Sequence, residues 1–203
     1  MQTHDVQQAV IVGGGFIGLE MAENLVHSGV EVSVVEMANQ VMGPIDYSMA
    51  AIVHQELVNN GVKLYLEQAV ESFEKVDAGL QVNFKSGIKT QAQIVILSIG
   101  VRAETKLAVD AGIELGEMRG IKVDKYLKTS AHDVYAVGDA IEYTHPITGK
   151  PWLNFLAGPA NRQARIVADN IIFGDKVVYE GSIGTAVAKV FGLSLYRSAI
   201  KTS

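Results

Sequence analysis

Residues 8–36 read QAVIVGGGFIGLEMAENLVHSGVEVSVVE. The stretch opens on an apolar run, Ala9 to Val12, crosses a glycine loop, and continues into a segment where Ile17, Met21, Leu25 and Val26 recur at helical spacing. Gly29 stands where such a helix ends. Val32, Val34 and Val35 then form a β-branched run of the kind found in strands buried on both faces of a parallel sheet. The order is strand, loop, helix, strand, so the reading begins as a Rossmann-like α/β fold.

Within the loop, Gly13, Gly15 and Gly18 follow the order GxGxxG, and each has a physical task. The first permits the tight turn off the strand, the second lets backbone approach a pyrophosphate, and the third lets the helix lie close to the strands. No Ser, Thr or Asp caps the helix start, so its free N–H groups and positive dipole end are open to an anion. Glu36 closes the second strand, where a carboxylate can accept hydrogen bonds from both ribose hydroxyls of an adenosine. No lysine or arginine follows until Lys63, and a 2′-phosphate at Glu36 would meet like charge, so NAD(H) is expected rather than NADP(H). On spacing alone Glu20 reads as a solvated helix residue.

Outward from this unit, Asp46 followed by Met49, Ile52, Val53 and Leu57 predicts a capped amphipathic helix ending at Asn60 and Gly61. β-like runs follow at Val62 to Tyr65, Ala69 to Phe73 and Leu80 to Phe84, the last two joined through Asp77 and Gly79 as an antiparallel hairpin. IVILSIG, Ile94 to Gly100, returns to the sheet as a buried strand whose carboxyl end lies beside the ligand. The second half is looser. It offers a short helical piece at Thr105 to Ala111, extended pieces at Ile121 to Val123 and Val134 to Val137, and a helix from Gly158 to Gly174 with Pro159 in its first turn and apolar Ile166, Val167, Ile171 and Ile172. VYAVGDA, residues 134–140, reads as one strand of a larger sheet with few neighbours of its own, and SIGTAVAKVFGLSLYRSAI as a β-rich segment that stops inside an element.

Composition narrows the function classes. Apolar residues at 48% and charged residues at 19% suffice for a core and do not suit a disordered chain. A formal charge of -5 without runs of like charge leaves no footprint for nucleic acid or a membrane surface. No apolar stretch approaches the roughly 20 residues of a membrane helix, and MQTHDVQQ is polar rather than signal-like, so a cytoplasmic address is expected. The absence of cysteine excludes disulfides, thiolate metal sites and a cysteine nucleophile within this chain. His4, His27, His54, His132 and His145 show no paired ligand spacing, and no metal is expected.

Taken in order, GGGFIGLE, VVEMANQVMGPIDYSMA, ILSIGVRAET, TSAHDVYAVGDA, LAGPANRQAR and GTAVAKVF resemble consecutive motifs of the FAD-dependent pyridine nucleotide-disulfide oxidoreductases, most of all the coenzyme A disulfide reductase and NADH oxidase branch. The resemblance is collinear from about residue 8 to about 195. It implies an NAD(H)-binding domain over 1–112, the C-terminal part of a split FAD-binding domain over 113–180, and the start of a dimerisation domain over 181–203. It also implies that the first flavin segment, with its redox-active cysteine, is not among these residues, so a fragment without catalytic residues and inactive alone is expected. By the same resemblance Gly13, Gly15, Phe16, Ile17, Gly18, Glu36 and Gly100 line the NAD site and Glu20 lies near the nicotinamide. Asp139 corresponds to the aspartate that hydrogen-bonds the flavin ribityl chain, and Pro159 and Ala160 begin the helix facing the flavin ring. Ala103 and Ala164 depart from the family, which commonly has proline and glycine there. The expected partners are a small-molecule dinucleotide and, through apolar surface left bare by the missing segment, a second copy of the chain. A non-catalytic dinucleotide sensor or interaction domain is the rival reading; a related reductase with another electron acceptor is a third.

Overall fold

The computed structural model describes residues 6–197. They form two compact units, one running to Gly100 and including Ala186–Arg197, the other spanning Val101–Thr185. The family resemblance sets its limits at 112 and 180, whereas compactness divides the chain after Gly100 and after Thr185.

The first unit is an α/β sheet with an antiparallel insertion. In chain order it comprises β1 (Gln8–Val12), α1 (Phe16–His27), β2 (Glu31–Val35), α2 (Tyr47–Asn59), β3 (Lys63–Tyr65), the insertion of β4 (Val70–Val76), β5 (Gly79–Phe84) and β6 (Lys89–Ala92), and β7 (Ile94–Leu97). The parallel sheet is ordered β3-β2-β1-β7. Val12 lies opposite both Val35 and Leu97, and Val35 opposite Tyr65, so all four strands finish level along one edge. The alternation along β1 explains its uninterrupted apolar run. Ala9 and Ile11 enter the cluster with Leu19, Ala22 and Leu57 from the helices, while Val10 faces Val82, Phe84 and Ala92 of the insertion. Each fully buried Val, Leu or Ile contributes about 1.5–3 kcal/mol.

Both helices stop as their sequences suggest. Gly29 and Gly61 take φ of +82° and +81°, their N–H groups bond Val26 and Val58, and the following Val30 and Val62 bond Leu25 and Leu57. That double bond pattern is the Schellman motif, which satisfies carbonyls the helix itself leaves open. Asp46 does occupy the N-cap of α2, although its side chain makes no capping bond. The rotation of α1 differs from the expected face. Its buried residues include Gly18, Leu19, Ala22 and Leu25, while Ile17 and Met21 are exposed. The cause is steric: a Cβ built on Gly18 would lie 2.1 Å from the Gly13 carbonyl oxygen, so Gly18 must face the strand and fixes the rotation. β6, KTQA, was invisible to hydropathy and exists because β5 offers it a ladder from Leu80 to Asn83.

The second unit contains α3 (Lys106–Asp110), β8 (Ile121–Lys122), β9 (Ile141–Thr144), β10 (Pro151–Trp152) and α4 (Ala157–Phe173), with a small sheet ordered β10-β9-β8. Its apolar core is a cluster of Leu127, Ile141, Tyr143, Ile166 and Tyr179. The strand expected at Val134–Val137 does not form. Thr129 donates its N–H and hydroxyl to the Val134 carbonyl, Ala136 donates its N–H to Leu127, and Lys128 and Tyr135 make an isolated bridge. Leu127 at φ +67° breaks the partner segment, so no ladder can extend from it. α4 starts and stops as expected, yet Ile171 and Ile172 are exposed and the inward side carries Gln163, Ile166 and Asn170.

The terminal hairpin, β11 (Ala186–Val190) and β12 (Leu193–Arg197), packs with the first unit through Ala188, Val190, Phe191 and Leu195. Two helix carboxylates receive its turn: Glu23 accepts the Phe191 N–H at 2.9 Å and Glu56 the Gly192 N–H at 2.8 Å. The further extension of this element through Ser198–Ile200 lies outside the described residues.

Candidate functional site

Strand-end geometry builds the site. The level edge of the parallel sheet opens into a cleft of about 550 Å³ lined by the residues that follow each strand: Gly13 and Gly15 after β1, Glu36 and Met37 after β2, Gln68 to Glu71 after β3, and Ser98 to Gly100 after β7. The chain runs outward from β1 through β2 to β3 and then returns to β7 on the other side of β1, so the glycine loop sits at the topological switch point.

The three motif glycines separate by what surrounds them. A Cβ on Gly13, which has φ +107°, would lie 2.1 Å from the Ser98 carbonyl oxygen, and one on Gly18 would meet Gly13. The protein itself requires both. Around Gly15, whose φ is -79°, a built Cβ meets nothing within 4 Å. The fold itself sets no steric demand for glycine at this cleft-lining position. Gly15 is also the N-cap of α1, without a side-chain capping bond, and the first intrahelical bond is from Leu19 to Gly15. The N–H groups of Phe16 and Ile17 precede it and are placed for an anion.

Glu36 is half-buried and already structural. One carboxylate oxygen accepts the Gly14 N–H and the other the Ala38 N–H, each at 2.8 Å. About two of its four acceptor positions are left beyond these two bonds. Of the other expected residues, Gly100 lines the cleft at φ +101°. Phe16 packs half-buried against the main core, Ile17 is exposed, and Glu20 is exposed in the second turn of α1. None of these three is among the lining residues. Sequence reasoning missed Gln68, Glu71, Phe73 and Ser98. Their signal was positional, since the segment after any strand of this sheet reaches the same edge.

In the second unit Asp139 is exposed on a 3-10 turn, Gly138–Ala140. Gly138, at φ +79°, packs toward Ala160 and donates its N–H to Gln163 at 2.7 Å, so the turn and the start of α4 are brought together. Pro159, with Arg162 and Ser182, lines a cavity of about 430 Å³. The N-cap of α4 is Leu156, again without a side-chain bond.

A parallel sheet with a cleft-lining glycine at the switch point and an acid after the second strand is the architecture seen in dinucleotide-binding α/β proteins. Residues 1–161 match the model of the pyridine nucleotide-disulphide oxidoreductases, and the chain belongs to that family. It is 32% identical over 201 residues to the NAD(P)H sulfur oxidoreductase (CoA-dependent) of Pyrococcus abyssi, covering 98% of this chain and 44% of that protein. Among solved structures it resembles reduced Bacillus anthracis CoADR-RHD at 48% identity and a TM-score of 0.89, over 93% of this chain and 34% of that one. An NAD-dependent persulfide reductase from A. fulgidus gives 35% identity and a TM-score of 0.90, over 95% and 36%. The chain thus spans less than half the length of each.

Proposed function

We propose that these residues form the NAD(H)-binding portion of an FAD-dependent NAD(P)H:disulfide oxidoreductase of the coenzyme A disulfide reductase kind, or of an NADH oxidase, and that the chain alone binds NAD(H) without turnover. The observation that carries the reading is Gly15, bare toward the cleft between two glycines that the fold itself requires. The diphosphate of NAD(H) fits against it, capped by the N–H groups of Phe16 and Ile17, with the ribose hydroxyls on Glu36. The bound nicotinamide supplies a hydride. The chain's own residues bind and orient: Gly13 and Gly18 shape the loop, Gly100 opens the far wall, and Glu20 stands where the family resemblance puts the nicotinamide. Asp139, Pro159 and Ala160 are the residues proposed for FAD in the full-length protein. The 203 residues hold no cysteine, so no thiol here can take part in disulfide reduction. Self-association through the exposed Ile171, Ile172 and Phe173 belongs to the same proposal.

Calorimetric titration tests it. NADH binds and NADPH binds more weakly, Gly15→Ala weakens NADH about tenfold while costing less than about 1 kcal/mol of stability, and NADH with a disulfide gives no turnover. Absence of NADH binding sinks the dinucleotide reading; appreciable turnover sinks the claim of inactivity. Lack of cysteine also suits a non-catalytic dinucleotide sensor, and retention of added FAD by the chain would favour the flavoenzyme over it.

A further inference from the structure

The glycine loop is fastened from behind by the segment 37–45. Gly14, between the two glycines that line the cleft, accepts the Met42 N–H at 2.8 Å, and its Cα lies so close to Val41 that an added Cβ would come within 2.7 Å of Val41 Cγ1. Val41 is fully buried, and its N–H donates to His54 Nε2 on α2 at 3.1 Å. Gly14 in turn donates to Glu36. A continuous set of contacts thus runs from His54 through Val41 and Gly14 to the proposed ribose acceptor. The bond to Val41 uses the lone pair of Nε2, which exists only in the neutral ring; a protonated imidazole has two donors and no acceptor.

The surroundings leave the ring little compensation for a charge. The 37–45 segment, MANQVMGPI, carries no charged side chain. On α2 the ring meets Tyr47 edge-on, with centroids 6.3 Å apart, and Glu56, two residues on, faces away and binds Gly192. Of the elements against which α2 packs, β3 carries Lys63, paired with Glu31, and β11 carries Lys189, paired with Glu23. Burial, with no charged partner contributing, holds the His54 pKa below its ordinary value.

We propose that His54 is a positioning residue for the dinucleotide site: its neutral ring holds Val41 and the glycine loop in the binding geometry, and protonation releases them, so dinucleotide affinity falls on acidification. The inference rests on the dinucleotide reading above. Titration of the chain with NAD+ between about pH 8 and pH 5.5 should show affinity falling roughly threefold to tenfold. His54→Gln retains an acceptor that does not titrate, so it binds as the parent does at pH 8 and loses the acid decline. His54→Leu removes the acceptor and binds more weakly at every pH, with circular dichroism showing that both variants fold. A His54→Gln variant with the parental acid decline, or a folded His54→Leu variant with parental affinity, overturns the role of His54 alone. Absence of NAD+ binding by the parent at pH 8 overturns the dinucleotide reading and this inference together.

Discussion

The two units bury different chemistry. In the first, side chains from both faces of a parallel sheet enter two apolar clusters, and the few buried polar groups, such as Glu23 and Asn83, tie down edges. In the second, five apolar residues share the interior with Glu142, His145, Asn154, Gln163 and Asn170, each hydrogen-bonded to backbone or side chain. Asn170 accepts the Lys176 and Val177 N–H groups at its carbonyl oxygen and donates its amide to the Val177 carbonyl. One interior is specified by volume and the other by bonding partners. The first therefore tolerates apolar exchange of equal volume, whereas the second fails when a single acceptor is lost.

The largest expected effect lies where the first unit has no room. Gly18→Ala places a Cβ 2.1 Å from the Gly13 carbonyl oxygen, so α1 must move away from β1 at a cost of about 3 kcal/mol or more, read from urea unfolding. A loss under about 1 kcal/mol would show that the helix is not held by this contact and would break the volume half of the comparison. Next comes Gln163→Leu in the second unit. Gln163 accepts the Gly138 N–H and donates to the Tyr179 hydroxyl at 2.9 Å, so an apolar replacement of similar size strands both at a cost of about 2 kcal/mol. Hydrogen exchange at the Gly138 amide should accelerate accordingly, and unchanged protection would place the specification of this unit elsewhere.

That contrast also decides what could be read from sequence. Periodicity found β1, β2, β7 and both helices of the first unit, because burial on two faces writes itself as continuous or alternating apolar residues. It failed at the rotation of α1, where a missing Cβ on Gly18 outweighs the hydropathy of Ile17 and Met21. In the second unit hydropathy misassigned the inner face of α4, whose Gln163 and Asn170 look solvated until their partners at Gly138 and Val177 are known. VYAVGDA failed for a related reason: its β-branched residues are suited to a strand, but Leu127 at positive φ denies them a ladder. The positions of Gly13, Gly15 and Glu36 at the cleft were legible because each follows a strand that the apolar pattern marks. Gln68, Phe73 and Ser98 were not, since only the common register of the strand ends brings them to one cleft.

The smallest effect sharpens the comparison from the polar side. Tyr143 sits against the edge of Tyr179, with ring centroids 5.3 Å apart, and its hydroxyl donates to the Ser182 carbonyl at 3.4 Å. Burial pushes its pKa up to about 12, with the Tyr179 neighbour adding to the rise and bonds to Asn154 and Ser182 opposing it. The folded value is raised above the ordinary value near 10, so the unfolded chain releases this proton first as pH increases. Stability from neutral Tyr143 is therefore complete below about pH 10 and is lost progressively between about pH 10 and pH 12. Tyr143→Phe has no such proton to lose, and its melting temperature should decline less over that interval than that of the parent. Equal declines would mean that the Tyr143 hydroxyl is effectively solvated, and that the second unit is less closed around its polar interior than its bonding implies.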